Sequence, residues 1–287
     1  MAPGPNTIAL LARAGAGGIP GAGRLPFLPG GGGELPADLQ RTLTDVRVDR
    51  DALAAYDRVC GLRLTEALGS TYPHVLAFPL HLALMTDGRF PFAPIGLVHL
   101  HNTITQRRPI LAGETLALHV RAQGSEPHPR GQVFTIATEA RVGEELVWSE
   151  ESAMLRRGAG SGERPAREAS PALEPTAVWS LPGDLGRRYA AVSGDHNPIH
   201  LHSLTAKAFG FPRAIAHGMW TAARCLAALD AHVPPAHVFE VRFRRPILLP
   251  GTVRFAWAAD PDGRTAFTVS RGEERHLDGT LTERSTA

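Results

Sequence analysis

Arg107-Arg108-Pro109-Ile110-Leu111 recurs without change as Arg244-Arg245-Pro246-Ile247-Leu248, and a Gly-Glu-Thr or Gly-Thr turn follows each copy. The displacement is 246 − 109 = 137 residues. Tyr56-x-x-Val59-x-Gly61 matches Tyr189-x-x-Val192-x-Gly194 at a displacement of 189 − 56 = 133, and Pro73 matches Pro212 at 212 − 73 = 139. Three matches in one order, drifting only as far as loop insertions allow, mark a duplicated structural unit. A chain built this way folds as two similar halves.

The connectors agree with that division. Residues 1–36 form an extension poor in hydrophobic periodicity, with Gly30–Gly33 consecutive. Residues 158–175 are rich in Gly, Pro, Ser and charge, which suits an exposed linker. The halves are therefore expected at 37–157 and 176–287. Each contains an apolar helix, Pro79–Met85 in the first and Gly218–Leu229 in the second, with Pro73 and Pro212 opening helix-like segments upstream. Strand-like runs follow at Leu97–Gln106, Glu114–Ala122, Gln132–Ala140 and Glu145–Leu155. In the second half they are Ala236–Phe243, Gly251–Ala258, Thr265–Ser270 and a weaker Leu277–Thr282. One apolar helix followed by antiparallel strands is an α+β unit, a sheet wrapped around a helix.

Composition excludes several function classes. A net charge of +2 over 287 residues gives no electrostatic case for nucleic acid, and Lys207 is the only lysine. Arg107-Arg108, Arg156-Arg157 and Arg244-Arg245 read first as solvated strand ends, and second as a basic rim for a phosphorylated ligand. Cys60 and Cys225 cannot build a disulfide framework and sit among apolar residues, as core cysteines do. Arg13 interrupts the early apolar run, which argues against a signal peptide. No stretch reaches the roughly 18–20 apolar residues of a membrane span. No membrane partner and a cytoplasmic location are the expectation.

Chemistry concentrates in Tyr189-Ala-Ala-Val-Ser193-Gly194-Asp195-His196-Asn197-Pro198-Ile199-His200, followed by Ile215-Ala216-His217-Gly218. The Asn197-Pro198 turn can bring Asp195 and His200 to one point, because proline fixes φ and biases its predecessor toward extended backbone. A carboxylate and an imidazole converging on one water make a base and an acid. Asn197 could orient the carboxylate or the water through its amide. Gly218 opens the apolar helix, where the first N–H groups lack internal partners and carry partial positive charge. That N–H is a candidate donor to a carbonyl oxygen that gains charge during reaction.

Tyr-x-x-x-Ser-Gly-Asp-x-Asn-Pro-Ile-His, followed by Ile-Ala-His-Gly, resembles the hydratase-2 signature of the MaoC-like hot-dog proteins. The signature covers about 30 residues, and the repeat extends the likeness to double hot-dog members with one active site on two fused units. The resemblance implies reversible hydration of trans-2-enoyl thioesters to (3R)-hydroxyacyl thioesters in fatty-acid metabolism. Asp195 and His200 would be catalytic, with Asn197 and Gly218 binding substrate. It implies no cofactor beyond the CoA or phosphopantetheine of an acyl-CoA or acyl-carrier-protein substrate, and a monomeric pseudo-dimer or a homodimer. A thioesterase on the same fold and a non-catalytic acyl-thioester-binding protein are the alternatives.

The first half serves as an internal control. Leu62 stands where Asp195 does, and aligning Ala77-Phe78-Pro79 with Ala216-His217-Gly218 puts proline, which has no N–H, at the donor position. The first half should then shape an acyl tunnel. His196, His202 and His217 read as structural or peripheral. His99-x-His101 and His200-x-His202 lack a Cys or carboxylate at matching spacing, so no metal is expected. His99 and His101 should line the cavity or bond main chain. Trp148, Trp220 and Trp257 are spaced as core or tunnel walls, and Lys207 and Arg213 as surface cations. Ser193 lacks the Gly-x-Ser-x-Gly elbow of a nucleophile.

Overall fold

A computed structural model describes residues 35–93, 97–158, 160 and 173–285. All but the last two residues of the expected extension at 1–36, and most of the expected linker at 158–175, lie outside those residues. The first half comprises strand β1 (Gln40–Arg47), helices α1 (Arg50–Cys60) and α2 (Tyr72–Met85), then strands β2 (Val98–Gln106), β3 (Thr115–His128), β4 (Gly131–Val142) and β5 (Glu145–Arg157). The second half repeats the order with β6 (Pro175–Leu181) and α3 (Leu185–Ser193). Short helices α4 (Pro198–Leu201) and α5 (Ser203–Ala208) precede α6 (Gly218–Leu229). Strands β7 (His237–Phe243), β8 (Gly251–Ala259), β9 (Arg264–Arg271) and β10 (Glu274–Glu283) complete it.

All ten strands form one sheet in the order β1-β3-β4-β5-β2-β7-β10-β9-β8-β6. Read from either edge, the order is the same once each strand is replaced by its counterpart in the other half. The halves meet through the antiparallel pair β2–β7, where Thr103 opposes Glu240 and Ile104 opposes Phe239. The sequence displacement agrees, since 240 − 103 = 137. Residues that the repeat makes equivalent sit opposite one another, as a two-fold axis through that point requires. Tyr56 and Tyr189, the paired tyrosines of the repeat, also meet, with ring centroids 6.1 Å apart.

Each half buries its central helix. Leu80, Leu84 and Ala77 of α2, and Ala222, Cys225 and Leu229 of α6, join one core with Phe239, Phe267 and Trp148. Both preceding helices end alike: Gly61 caps α1 at φ 73° and Gly194 caps α3 at φ 75°, left-handed backbone that only glycine takes at little cost. Tyr56 packs on Tyr72 at 5.0 Å, and Tyr189 on His217 at 4.8 Å. Those contacts correct the expected alignment: Tyr72 corresponds to His217, so Pro73 and not Pro79 stands at the place of Gly218. Proline at the donor position survives the correction. Helix α2 also starts earlier than expected, with Pro73 in its first turn and Pro79 inside it. Pro212 opens no helix; it lies in the irregular stretch before α6, so its sequence match with Pro73 is not a structural equivalence.

The eight expected strands are present within a few residues of their anticipated ends. The two edge strands, β1 and β6, were not expected. No described helix is long and apolar enough to cross a membrane.

Because one core serves both halves, unfolding should be a single transition. Phe239→Ala, at a fully buried position on the central pair, should cost roughly 3–5 kcal/mol. Near-ultraviolet circular dichroism and tryptophan fluorescence should then lose signal together; two separated transitions would show that the halves hold themselves up independently.

Candidate active site

Helix α3 runs into the left-handed Gly194, and the chain then turns sharply through Asp195–Asn197. The turn is held from inside. Asn197 N–H donates to Asp195 Oδ1 at 3.1 Å, and Asp195 N–H donates to Ser193 Oγ at 3.2 Å. Asn197 Oδ1 caps α4 by accepting from Ile199 N–H. The side chain of Asn197 was expected to orient the carboxylate or the water through its amide. The main-chain N–H is the group that bonds the carboxylate, while the side-chain oxygen caps α4 and the side chain lines the cavity.

His200 rides on α4. A Cβ on Gly186 would come within 1.9 Å of the His200 carbonyl oxygen, so only glycine lets α3 and α4 approach this closely. His200 Nδ1 lies 2.8 Å from the carbonyl of Ile215. A carbonyl only accepts, so Nδ1 carries the proton and Nε2 is left as the other edge of the ring. Burial pushes His200 below the ordinary imidazole range against the opposing pull of Asp195. The ring is neutral at pH 7, and Nε2 is an acceptor. Burial alone would raise the Asp195 carboxyl, yet His217, His200, the Asn197 N–H and His74 together hold it below the usual carboxylate range. Asp195 is therefore an anion. Two proton acceptors stand side by side.

His217, expected to be structural or peripheral, is structural but central. Its Nε2–H donates to the Asp195 main-chain carbonyl at 3.0 Å and lies 3.7 Å from Oδ2. Its ring stacks on His200 with centroids 3.7 Å apart and planes 25° apart. Burial and His200 push it down to about 3, so it too is neutral. The sequence clue was its place immediately before Gly218. Asp195, His200 and His217 bring possible metal ligands within 4.8 Å of one another, as do His74, His81 and Glu150. Two of the imidazole nitrogens of the first trio already hold carbonyls, those of Ile215 and Asp195.

These residues line a cavity of about 240 Å³ with Gly218 at its wall. Gly218 is the first residue of α6, so its N–H has no carbonyl partner one turn back. A Cβ here would stand 3.0 Å from the Phe243 ring, which leaves little room beyond glycine. The walls mix both halves: Phe78, Met85, Ile136 and Met154 from the first, Phe211 and Ile247 from the second. Arg130, Arg157 and Arg245 are exposed and also line the cavity, so they mark its open end. Of the arginine clusters read first as solvated strand ends and second as a basic rim, Arg157, Arg244 and Arg245 line the cavity. His99 lines the cavity as anticipated, whereas His101 does not. His202 and Lys207 are exposed, Arg213 lies off the cavity, and Trp148 and Trp220 are core residues bonded to the Ser70 and Val59 carbonyls.

Comparison with known proteins places this geometry. Residues 168–273 match the family described as MaoC like domain. The chain is 40% identical over 271 residues to 3-hydroxyacyl-thioester dehydratase X of Mycobacterium tuberculosis, covering 92% of this chain and 93% of that protein. The crystal structure of the M. tuberculosis protein HtdX superposes with a TM-score of 0.77 at 37% identity, over 85% of this chain and 100% of that one. A MaoC-like dehydratase from Phytophthora capsici, 21% identical, shares the fold at a TM-score of 0.72 over 88% of this chain and 98% of its own. The fold is the double hot-dog, and the chain belongs to the MaoC-like dehydratase family.

Proposed function

We propose that this protein adds water reversibly across the double bond of a trans-2-enoyl thioester, giving the (3R)-hydroxyacyl thioester, as a hydro-lyase of fatty-acid metabolism. One observation carries the reading: the Asp195 anion and the Nε2 acceptor of neutral His200 share a cavity wall with the Gly218 N–H. Water has two O–H donors. Two fixed acceptors take both, which leaves an oxygen lone pair aimed at the β-carbon. As the C–O bond forms, one water proton passes to the Asp195–His200 pair and is then returned to the α-carbon. The thioester oxygen gains negative charge in between, and the Gly218 N–H at the start of α6 would hold it. Dehydration runs the same steps backward. His217 orients the pair, with its Nε2–H held by the Asp195 carbonyl and its ring stacked between His200 and Tyr189.

The carrier of the acyl group follows from the rim. Arg130, Arg157 and Arg245 suit a phosphate-bearing carrier, which CoA and the phosphopantetheine of acyl-carrier protein both supply. The protein's own residues suffice for this chemistry, so the reading needs no further cofactor. Cys60 and Cys225 are free buried thiols, in keeping with a reducing compartment such as the cytoplasm. A single chain supplies both halves, so a monomer would be complete and a homodimer is the alternative assembly.

Asp195→Asn and His200→Gln should each lower kcat/KM by about 10²–10⁴-fold, followed as loss of enoyl absorbance with a crotonyl thioester. Unchanged turnover in either would reject the pair, and stoichiometric release of thiol by the unaltered protein would favour a thioesterase. Gly218→Pro removes the donor at a helix position where proline is tolerated, and should cost about 10²–10³ in kcat. Gly218→Ala adds the same Cβ contact with Phe243 but keeps the N–H. Equal losses in the two variants would mean that packing, not the donor, is what matters at this position.

A further inference from the structure

The first half puts an imidazole that is paired with a buried carboxylate into the cavity. His74 follows Pro73 in the first turn of α2, at the place where Met219 follows Gly218 in α6. Its Nδ1 lies 2.9 Å from both carboxylate oxygens of Glu150. Glu150 has no exposed side-chain surface. Its Oε1 also accepts from Asn102 Nδ2 at 2.7 Å, and the same amide donates to Ser152 Oγ at 2.9 Å. With Nδ1 spent on the carboxylate, the other ring nitrogen is the one left for the cavity, which His74 lines together with Asp195.

As a stabilising device the arrangement is poor. Burying an ion pair costs desolvation that apolar side chains would avoid, and a cation in the first turn of a helix opposes the helix dipole. Both costs fall where a positive charge reaches the reacting carboxylate. We propose that His74, clamped as an imidazolium by Glu150, is the first half's contribution to the chemistry: a positioning residue whose charge beside Asp195 keeps the Asp195–His200 pair able to take protons from water. This rests on the reading of Asp195 and His200 as the proton-handling pair.

The surrounding groups single out His74. Burial pushes it down, but Glu150 and then Asp195 carry it above the ordinary imidazole range. His81, on the same helix and 2.8 Å from Thr138 Oγ1, is pushed down to about 3 by burial and by His74. His99 on β2 is lowered to about 4 for the same two reasons. Burial raises Glu150, yet His74 above all brings it down to about 2. Asp195 is faced by His200 and His217 as well as by His74, and Tyr189 packs behind His217. His81, His99, His200 and His217 are thus neutral at pH 7, and His74 is the one of these five histidines whose surroundings favour the charged form.

Whichever member of the coupled pair takes the first proton, a neighbouring cation opposes it. His74→Gln should therefore move the acid limb of the kcat/KM profile up by about one pH unit, a roughly tenfold loss on that limb. Glu150→Gln, which discharges His74, should move it the same way, and the double variant no further than either single one. An unmoved limb in folded His74→Gln, or a loss confined to KM, would overturn the proposal. Additive shifts would overturn the role of Glu150 as the clamp. Nitrogen-15 spectroscopy of the histidine rings in the unaltered protein gives an answer that needs no variant: His74 should be doubly protonated at pH 7, and a neutral ring refutes the idea. Asp195→Asn separates the two readings, because an inactive Asp195→Asn beside an unmoved His74→Gln profile sinks only this inference.

Discussion

The β2–β7 ladder is the constraint from which the rest follows. Among the described residues it is the only strand pairing between the halves, and the two-fold relation of the strand order runs through it. A one-residue slip would turn Ile104 and Phe239 out of the core and bring polar neighbours in. Register in this pair is therefore strongly specified, and with it the distance between the starts of α2 and α6. The cavity lies where both helix starts come near the turn after α3. Through the ladder the strands of the first half continue into those of the second, and His74 and Asp195 line one cavity.

Within that frame, the site is a set of opposed electrostatic preferences. Burial favours neutral groups, which suits His200 and His217 as uncharged rings and disfavours Asp195 as an anion. The carboxylate stays ionised because the Asn197 N–H and the nearby imidazoles are fixed around it. Fixed dipoles do not have to reorganise as charge moves during reaction, which is where enzymes obtain much of their advantage. The glycine at 186 is part of this economy. It lets the His200 carbonyl approach α3 so closely that the imidazole has one place to stand.

Much of this could be read from residues alone. The repeated Arg-Arg-Pro-Ile-Leu segment gave the two-fold relation, and apolar runs gave eight strands because those strands face a core on at least one side. β1 and β6 show no such run because they are edges; β1 carries a bulge between Leu43 and Val46, with Asp45 at φ 58°, that breaks its alternation. The start of α2 was misplaced because proline usually begins a helix, and Pro79 sits inside this one. Asp195, His200 and Gly218 were legible because they are close in sequence and separated by turn-forming residues. The role of His217 depended on stacking, which spacing does not reveal. The His74–Glu150 contact spans 76 residues and joins a helix to a strand, so no local pattern could announce it.

Fusion of the halves also has a bearing on how such a site can change. In a pair of identical subunits, every altered residue is present twice and touches both cavities. Here Met85, Ile136 and Met154 have no obligation to match their counterparts in the second half. The wall that meets the acyl chain can be resculpted one side at a time, while the turn bearing Asp195 and His200 is left as it is. Thioether side chains make that wall yielding as well as variable, so under the proposed function related chains can differ in this wall while the turn stays the same.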